Sequence, residues 1–191
     1  MAVREGTDVG ALLDDARTVS TAPVLPVSTV VVGGAALLVR LHGASSTVDA
    51  DQRTIEAHLG ETFRVADADE ASALLARSRD GAFLSDTVVE ASVRPSRLAE
   101  LWALVRDQAP REVVMDAYAG KLRAGFDELG VDRLRDLTRG VEALGGAVSV
   151  PRGANPSLGE IASRPSEAEA LLVEGLRRAF DPQGLLWPAR G

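Results

Sequence analysis

The sequence predicts an α+β fold in which helices cover one face of an antiparallel sheet. Residues 87–152 alternate between strand-like and helix-like patterns in the order β-α-β-β-α-β, and residues 8–86 resemble a less complete copy of that order. Hydrophobic residues form 46% and charged residues 26% of the 191-residue chain, which is typical of a globular domain. We therefore expect a single domain over residues 1–191, built from two similar halves.

The first half, residues 8–86, begins with a helix and a pair of strands. A helix over Asp8–Thr18 places Val9, Leu12, Leu13 and Ala16 on one side. Strands near Val27–Val32 and Ala36–Leu41 are expected to pair around Gly33-Gly34. Further along we expect a helix from Ser45 or Ser46 to Leu59, a strand over Glu61–Ala66 and a helix over Asp67–Arg79.

One stretch of the first half could be mistaken for a membrane span. Ala22–Val39 carries no charged side chain and reaches the lower length limit for a transmembrane helix. However, Pro23, Pro26 and the Gly33-Gly34 pair interrupt a helix, and the β-branched run between them favours strands. We therefore expect no membrane span.

The second half, residues 87–164, shows the pattern more completely. We expect strands over Thr87–Arg94, Glu112–Tyr118, Lys121–Phe126 and Ala147–Arg152, helices from Pro95 and over Asp132–Leu144, and a long loop over Arg152–Pro165. The first strand alternates, with Val89 and Ala91 on one face and Glu90 and Ser92 on the other. This order is the ferredoxin-like unit, and two such units can share one sheet. The prediction is a duplicated ferredoxin-like domain with one sheet face open to a second domain.

Residues 165–191 are predicted to form a C-terminal helix and a tail. Ser166 and Glu169 make a capping box, and the helix carries an apolar stripe of Ala168, Leu171, Leu172, Leu176, Ala179 and Phe180. Asp181-Pro182 ends the helix, and the tail GLLWPARG follows after Gln183. Such an apolar tail is expected to lie against another surface.

Composition and motifs exclude several functions. The net charge of −7 disfavours nucleic-acid binding, and the absence of cysteine excludes disulfides and thiolate chemistry. We expect a cytoplasmic location. The chain has no glycine-rich nucleotide motif, no serine elbow, and only two histidines, His42 and His58, so no metal site is expected. No catalytic constellation that could act alone is present.

Basic residues near the strand ends of the second half are the candidate ligands for an anion. Arg94, Lys121, Arg123 and Arg152 lie on or beside these strands, and Tyr118 ends one of them. Guanidinium and ammonium groups suit carboxylates. The alternative is that these side chains are simply solvated at the strand ends.

Several stretches resemble one known family. ALLVRLHGASSTVDADQRTI (Ala36–Ile55) and LRRAFDPQGLLWPAR (Leu176–Arg190) are similar to the opening and the close of the C-terminal domain of FAD-linked oxidases. VVEASVRPSRLAELW, VVMDAYAGKLRAG and GGAVSVPRG, which begin at residues 88, 113 and 145, resemble the FAD-binding subunit of glycolate oxidase in order and spacing.

The resemblance implies a cap domain that covers the flavin and shapes the pocket for a small anionic 2-hydroxy acid. FAD would be held mainly by a separate flavin-binding domain or subunit, because no part of this chain resembles that domain. The tail would reach toward the cofactor through Asp181, Pro182, Gly184, Trp187 and Pro188. Trp187 stands where the family has Asn, and Ala189 where it has Gly, so a polar contact is lost.

Two other functions remain open at this stage. The chain could be a non-catalytic ferredoxin-like module for binding or assembly, which dimerises through its open sheet face. It could also be a relative that has kept the fold and lost the activity.

Overall fold

The computed structural model describes residues 1–154, 156–162 and 167–181. An eight-stranded antiparallel sheet has the order β4-β1-β3-β2-β6-β7-β5-β8, which confirms the predicted α+β class. The strands are β1 (Ala2–Glu5), β2 (Ser28–Val32), β3 (Ala36–Arg40), β4 (Arg64–Val65), β5 (Thr87–Ser92), β6 (Glu112–Asp116), β7 (Lys121–Phe126) and β8 (Ala147–Arg152). The helices are α1 (Val9–Thr21), α2 (Ser45–Leu59), α3 (Ala68–Asp80), α4 (Leu98–Arg106), α5 (Val131–Ala143), α6 (Pro156–Ala162) and α7 (Glu167–Phe180).

Both halves of the sheet have the same topology. Each runs β-α-β-β-α-β, with its strands in the spatial order fourth, first, third, second, and β2 pairs with β6 to join them. The first half is complete because β1, which the sequence patterns did not indicate, pairs with β3 and β4. A duplicated ferredoxin-like fold stays an interpretation, and this shared strand order supports it.

The main core lies between one sheet face and the helices α1, α2, α4 and α5. Leu12, Leu101 and Leu137 from three of these helices are buried together with Met115 and Phe126 from the sheet. Full burial of each such side chain stabilises the fold by about 1.5–3 kcal/mol. The apolar spacing seen in the sequence therefore corresponds to one continuous core across both halves.

Helix α3 departs from the predicted arrangement because it lies on the opposite sheet face. Its Leu74 packs with Val32 and Leu38 in a second, smaller cluster. In the first half, β1, β2 and β3 carry apolar side chains on both faces, so both faces need a cover. The corresponding face of the second half carries polar residues, and within the described residues only the 3-10 helix Gly81–Leu84 and the end of α3 lie against its border.

Two connections also differ from expectation. The strand predicted over Glu112–Tyr118 ends at Asp116, because Asp116 Oδ1 accepts hydrogen bonds from the amides of Tyr118 and Ala119 and starts a turn there. The predicted loop over Arg152–Pro165 contains α6, whose Leu158 is buried in the main core. Ser166 of the expected capping box lies outside the described residues.

Gly120, in the turn before β7, is required by both its backbone angle and its neighbours. Its φ is +63°, and an added Cβ would lie 2.1 Å from the carbonyl oxygen of Val93. We expect Gly120→Ala to lower the free energy of unfolding by more than about 3 kcal/mol in urea titration. Gly60→Ala is the control, since Gly60 has a φ of +73° but no atom near the added Cβ, and it should cost only about 1 kcal/mol. Equal losses would contradict this account of the turn.

Asp15 of α1 makes stability depend on pH. Burial raises the pKa of its carboxyl above the usual value, although Arg4 Nε lies 3.1 Å away and opposes the shift. A raised folded-state pKa means that stability present at low pH is lost as the pH rises through that value. Relative to wild type, Asp15→Asn should therefore gain stability in urea titrations as the pH rises above the ordinary aspartate pKa of about 3.9, and the gain should level off above the raised folded-state pKa. Asp49→Asn, at an exposed position, is the control, and parallel profiles for Asp15→Asn and wild type would refute the assignment.

Candidate functional site

The uncovered face of the second half holds a groove of about 390 Å³. Strands β5, β6 and β7 form its floor, with β2 at one side and the edge strand β8 at the other. Ser78, near the end of α3, contributes to one wall. The short 3-10 helix Gly81–Leu84 bounds the face, because it packs so closely on Gly125 that a Cβ there would lie 2.5 Å from the carbonyl oxygen of Ala82.

Strand register arranges the groove side chains in two rows across the sheet. The first row, called here the lysine row, runs Val30, Asp116, Lys121, Ser92 and Ala147. The second row, called the arginine row, runs Val114, Arg123, Glu90 and Ser149. Directly opposed side chains in neighbouring strands have their Cβ atoms about 4.5–5.5 Å apart, so each row is a line of contacting neighbours.

Arg123 in the arginine row is committed to contacts within the protein. Its Nε donates to Glu90 Oε1 at 2.7 Å, and its Nη1 donates to the carbonyl oxygen of Arg79 at 3.2 Å. The guanidinium also lies 4.7 Å from the centre of the Phe83 ring, within cation–π range. Arg123 thus ties the end of α3 and the 3-10 helix to the sheet, and Glu90 neutralises its charge.

Lys121 in the lysine row has no such commitment. It is exposed, and no ion pair or hydrogen bond of its ammonium exists within the described residues, although Asp116 is its cross-strand neighbour. Asp116 instead uses Oδ1 to accept from the turn amides of Tyr118 and Ala119, both at 3.0 Å. The groove therefore has an available cation beside a carboxylate oxygen, Asp116 Oδ2, that also lacks a donor among the described groups.

Lys121 is also the single lysine among the 21 lysine and arginine residues of the chain. Every other basic position holds arginine, so Lys121 is the one side chain of the sequence that offers a lysine ammonium. Lysine offers a compact charge with three rotatable donors, whereas arginine offers a wide planar fork. The single occurrence of lysine can be read from the sequence alone, and it distinguishes Lys121 from the other four candidates.

The remaining candidates do not line the groove. Arg94 is exposed at the end of β5, and Tyr118 lies exposed in the turn after β6. Arg152 is committed elsewhere, because its Nη1 donates to the carbonyl oxygen of Phe83 at 2.7 Å. Of the five residues selected from sequence, the structure brings only Lys121 and Arg123 together in this groove. It adds Asp116, Glu90 and three serines, which the sequence patterns did not identify as candidates.

The expected cofactor-contacting tail is described only at its start. The Asp181 amide donates to the carbonyl oxygen of Arg177 at 2.8 Å, which closes the last turn of α7. Pro182, Gly184, Trp187 and Pro188 lie outside the described residues. On α7 itself the apolar stripe is not buried, since Leu171 is 69% and Phe180 is 76% exposed.

The described part of the chain was also searched for metal-binding clusters and for membrane-spanning helices. No group of three histidine, aspartate or glutamate side chains converges there in a way that could hold a metal ion. Across residues 1–154, 156–162 and 167–181, none of the helices combines the length and apolar character needed to cross a bilayer. Comparison of the sequence with protein-family models and with curated proteins finds no match.

The Arg123–Glu90 pair should show measurable coupling in a double-mutant cycle of Arg123→Ala and Glu90→Ala. Their side chains are only 33% and 39% exposed, and Arg123 is held by additional contacts, so we expect a coupling free energy of about 0.5–1 kcal/mol. The more exposed pair Arg111–Asp127 is the matched control, with an expected coupling close to zero. Urea titration of the wild type and the six variants measures both, and equal couplings would contradict the structural role assigned to Arg123.

Proposed function

We propose that the chain is the substrate-covering cap of an FAD-dependent oxidoreductase that acts on small 2-hydroxy acids of the glycolate type. The observation that carries this proposal is the uncovered, polar sheet face of the second half with its groove. The helix-covered face is closed by the main core, so the groove face is the one available to a second domain. The family resemblance of the sequence points to the same arrangement.

The groove suits a small acid and not the dinucleotide itself. Proteins bind the pyrophosphate of a dinucleotide with glycine-rich loops at helix N-termini, whereas this groove is built from the faces of strands. Its available cation is the single ammonium of Lys121, because Arg123 is neutralised by Glu90. We therefore place the FAD in a separate flavin-binding domain or subunit, with this chain orienting the acid and excluding water above it.

Helix α7 provides a second surface for that domain. Its apolar residues Leu171, Leu172, Val173, Leu176 and Phe180 are all exposed within the described part of the chain. An exposed apolar patch of this kind is typical of a protein interface. The family resemblance places the following tail, which begins at Asp181, at the boundary with the flavin domain.

The alternative, a module that dimerises through its open sheet face, is less consistent with the groove residues. Glu90, Asp116, Lys121 and Arg123 are all charged and lie at the centre of that face. The centres of protein interfaces are depleted in lysine, glutamate and aspartate. A ligand groove explains these charges better than a self-association surface does.

The test is purification of the tagged full chain from its native source. We expect a partner protein and flavin absorbance in the eluate, with the absorbance bleached by glycolate under anaerobic conditions. The double variant Leu171→Asp/Leu172→Asp should lose the partner and the flavin, because two charges would be placed in the apolar contact. Leu25→Asp is the matched control, since Leu25 is 97% exposed in the connection between α1 and β2, and it should retain both.

Two results would overturn the proposal. Sub-micromolar binding of FAD to the isolated chain would show that no separate flavin domain is needed. A homodimer that forms without flavin, and whose mass is unchanged by Leu171→Asp/Leu172→Asp, would favour the assembly module.

A further inference from the structure

The geometry points to Lys121 and Asp116 as a paired recognition site for a short-chain 2-hydroxy acid. In this site the ammonium of Lys121 binds the carboxylate of the acid, and Asp116 Oδ2 accepts a hydrogen bond from the adjacent hydroxyl. The inference rests on the proposed function and assigns the specificity of its substrate groove to two residues.

The register of the β6–β7 hairpin puts both groups at the same place. Asp116 and Lys121 are direct cross-strand partners, and both line the groove. They form no ion pair, and the turn amides of Tyr118 and Ala119 occupy only Asp116 Oδ1, so Oδ2 stays open on the groove side of the hairpin. A donor and an acceptor are thus kept apart on one surface, which suits a ligand that carries an acceptor and a donor on neighbouring atoms.

The adjacent arginine row provides a comparison for the Lys121–Asp116 pair, because there the cation is an arginine. Arg123 and Glu90 are also direct cross-strand partners, and there the charges close into a pair with Nη2 2.6 Å from Oε1. A guanidinium presents a planar fork that matches a carboxylate, whereas an ammonium is a compact charge on a flexible stem. The chain's single lysine therefore occupies the position where a closed pair would remove the binding groups.

The neighbours of the pair limit the size and character of the ligand. Ser92 lies on the other side of Lys121 and adds a hydroxyl that can donate or accept. Val30 and Ala147 end the lysine row, so the groove offers apolar contact only to a short carbon chain. These features favour a small acid over a long-chain acid.

The experiment uses the single lysine as its own probe. The full-length chain is produced with lysine labelled at Cε and Nζ, which gives one side-chain signal, and is titrated with glycolate, acetate and glycine at constant ionic strength. We expect a saturable shift with glycolate and roughly tenfold weaker binding of acetate, which lacks the hydroxyl. Glycine tests the competing ligand class, because its ammonium group can also donate to Asp116 Oδ2, and the inference requires glycine to bind more weakly than glycolate.

A variant of Asp116 tests the hydroxyl contact separately. Asp116→Asn keeps an oxygen for the turn amides but replaces the free acceptor with an amide NH₂. The preference for glycolate over acetate should therefore fall from roughly tenfold to about onefold. Asp107→Asn, at an exposed aspartate paired with Arg106 outside the groove, is the matched control and should keep the preference.

Several outcomes would overturn the inference. These are a lysine signal that does not shift, equal affinities of wild type for glycolate and acetate, tighter binding of glycine, and a shift that sodium chloride reproduces. The wild-type comparison decides the question even if Asp116→Asn does not fold. If the isolated chain binds glycolate but purification from the native source yields no flavoprotein partner, this inference stands and the proposed function falls. If a flavoprotein partner co-purifies but glycolate does not shift the lysine signal, the proposed function stands and this inference falls.

Discussion

The antiparallel register of β6, β7 and β5 is the constraint on which the candidate site depends. It places Asp116 and Ser92 on either side of Lys121, and Glu90 opposite Arg123. Side chains alternate between the two faces of a strand, so a slip of one residue would send these polar groups into the core and bring Leu122 to the groove. The buried positions of Met115, Leu122 and Ala124 on the other face therefore hold the register that builds the site.

The two halves share a topology but differ in what their outer sheet face does. In the first half that face is apolar and lies under α3. In the second half it is polar, and the described residues cover it only at the end near Gly81–Leu84. The ion pair of Arg77 with Glu112, with Nε 2.8 Å from Oε2, holds α3 at the boundary between them. The first half thus acts mainly as support, and the second half presents the groove.

The sequence predicted most of the elements because their signals are local. The Gly33-Gly34 pair between β-branched runs indicated the β2–β3 hairpin, and both glycines have positive φ in the structure. Strand β1 was missed because four residues at the start of the chain give too short a pattern. Helix α6 was missed because its glycine, proline and serine content is typical of a loop.

The site was predicted less well because its contacts join residues that are distant in sequence. Arg123 and Glu90 are 33 positions apart, and nothing in either strand alone shows that they neutralise each other. Arg123 and Lys121 therefore appeared equivalent. Only the single occurrence of lysine distinguished them, and that is a property of the whole composition and not of a motif.

The central claim is that the uncovered sheet face is a binding surface for a small acid. The most direct measurement is a crystal structure of the full chain determined at high glycolate concentration. The account predicts glycolate in the groove, with its carboxylate at the Lys121 ammonium and its hydroxyl at Asp116 Oδ2. A groove without glycolate, in which Lys121 closes onto Asp116 as an ion pair, would contradict it.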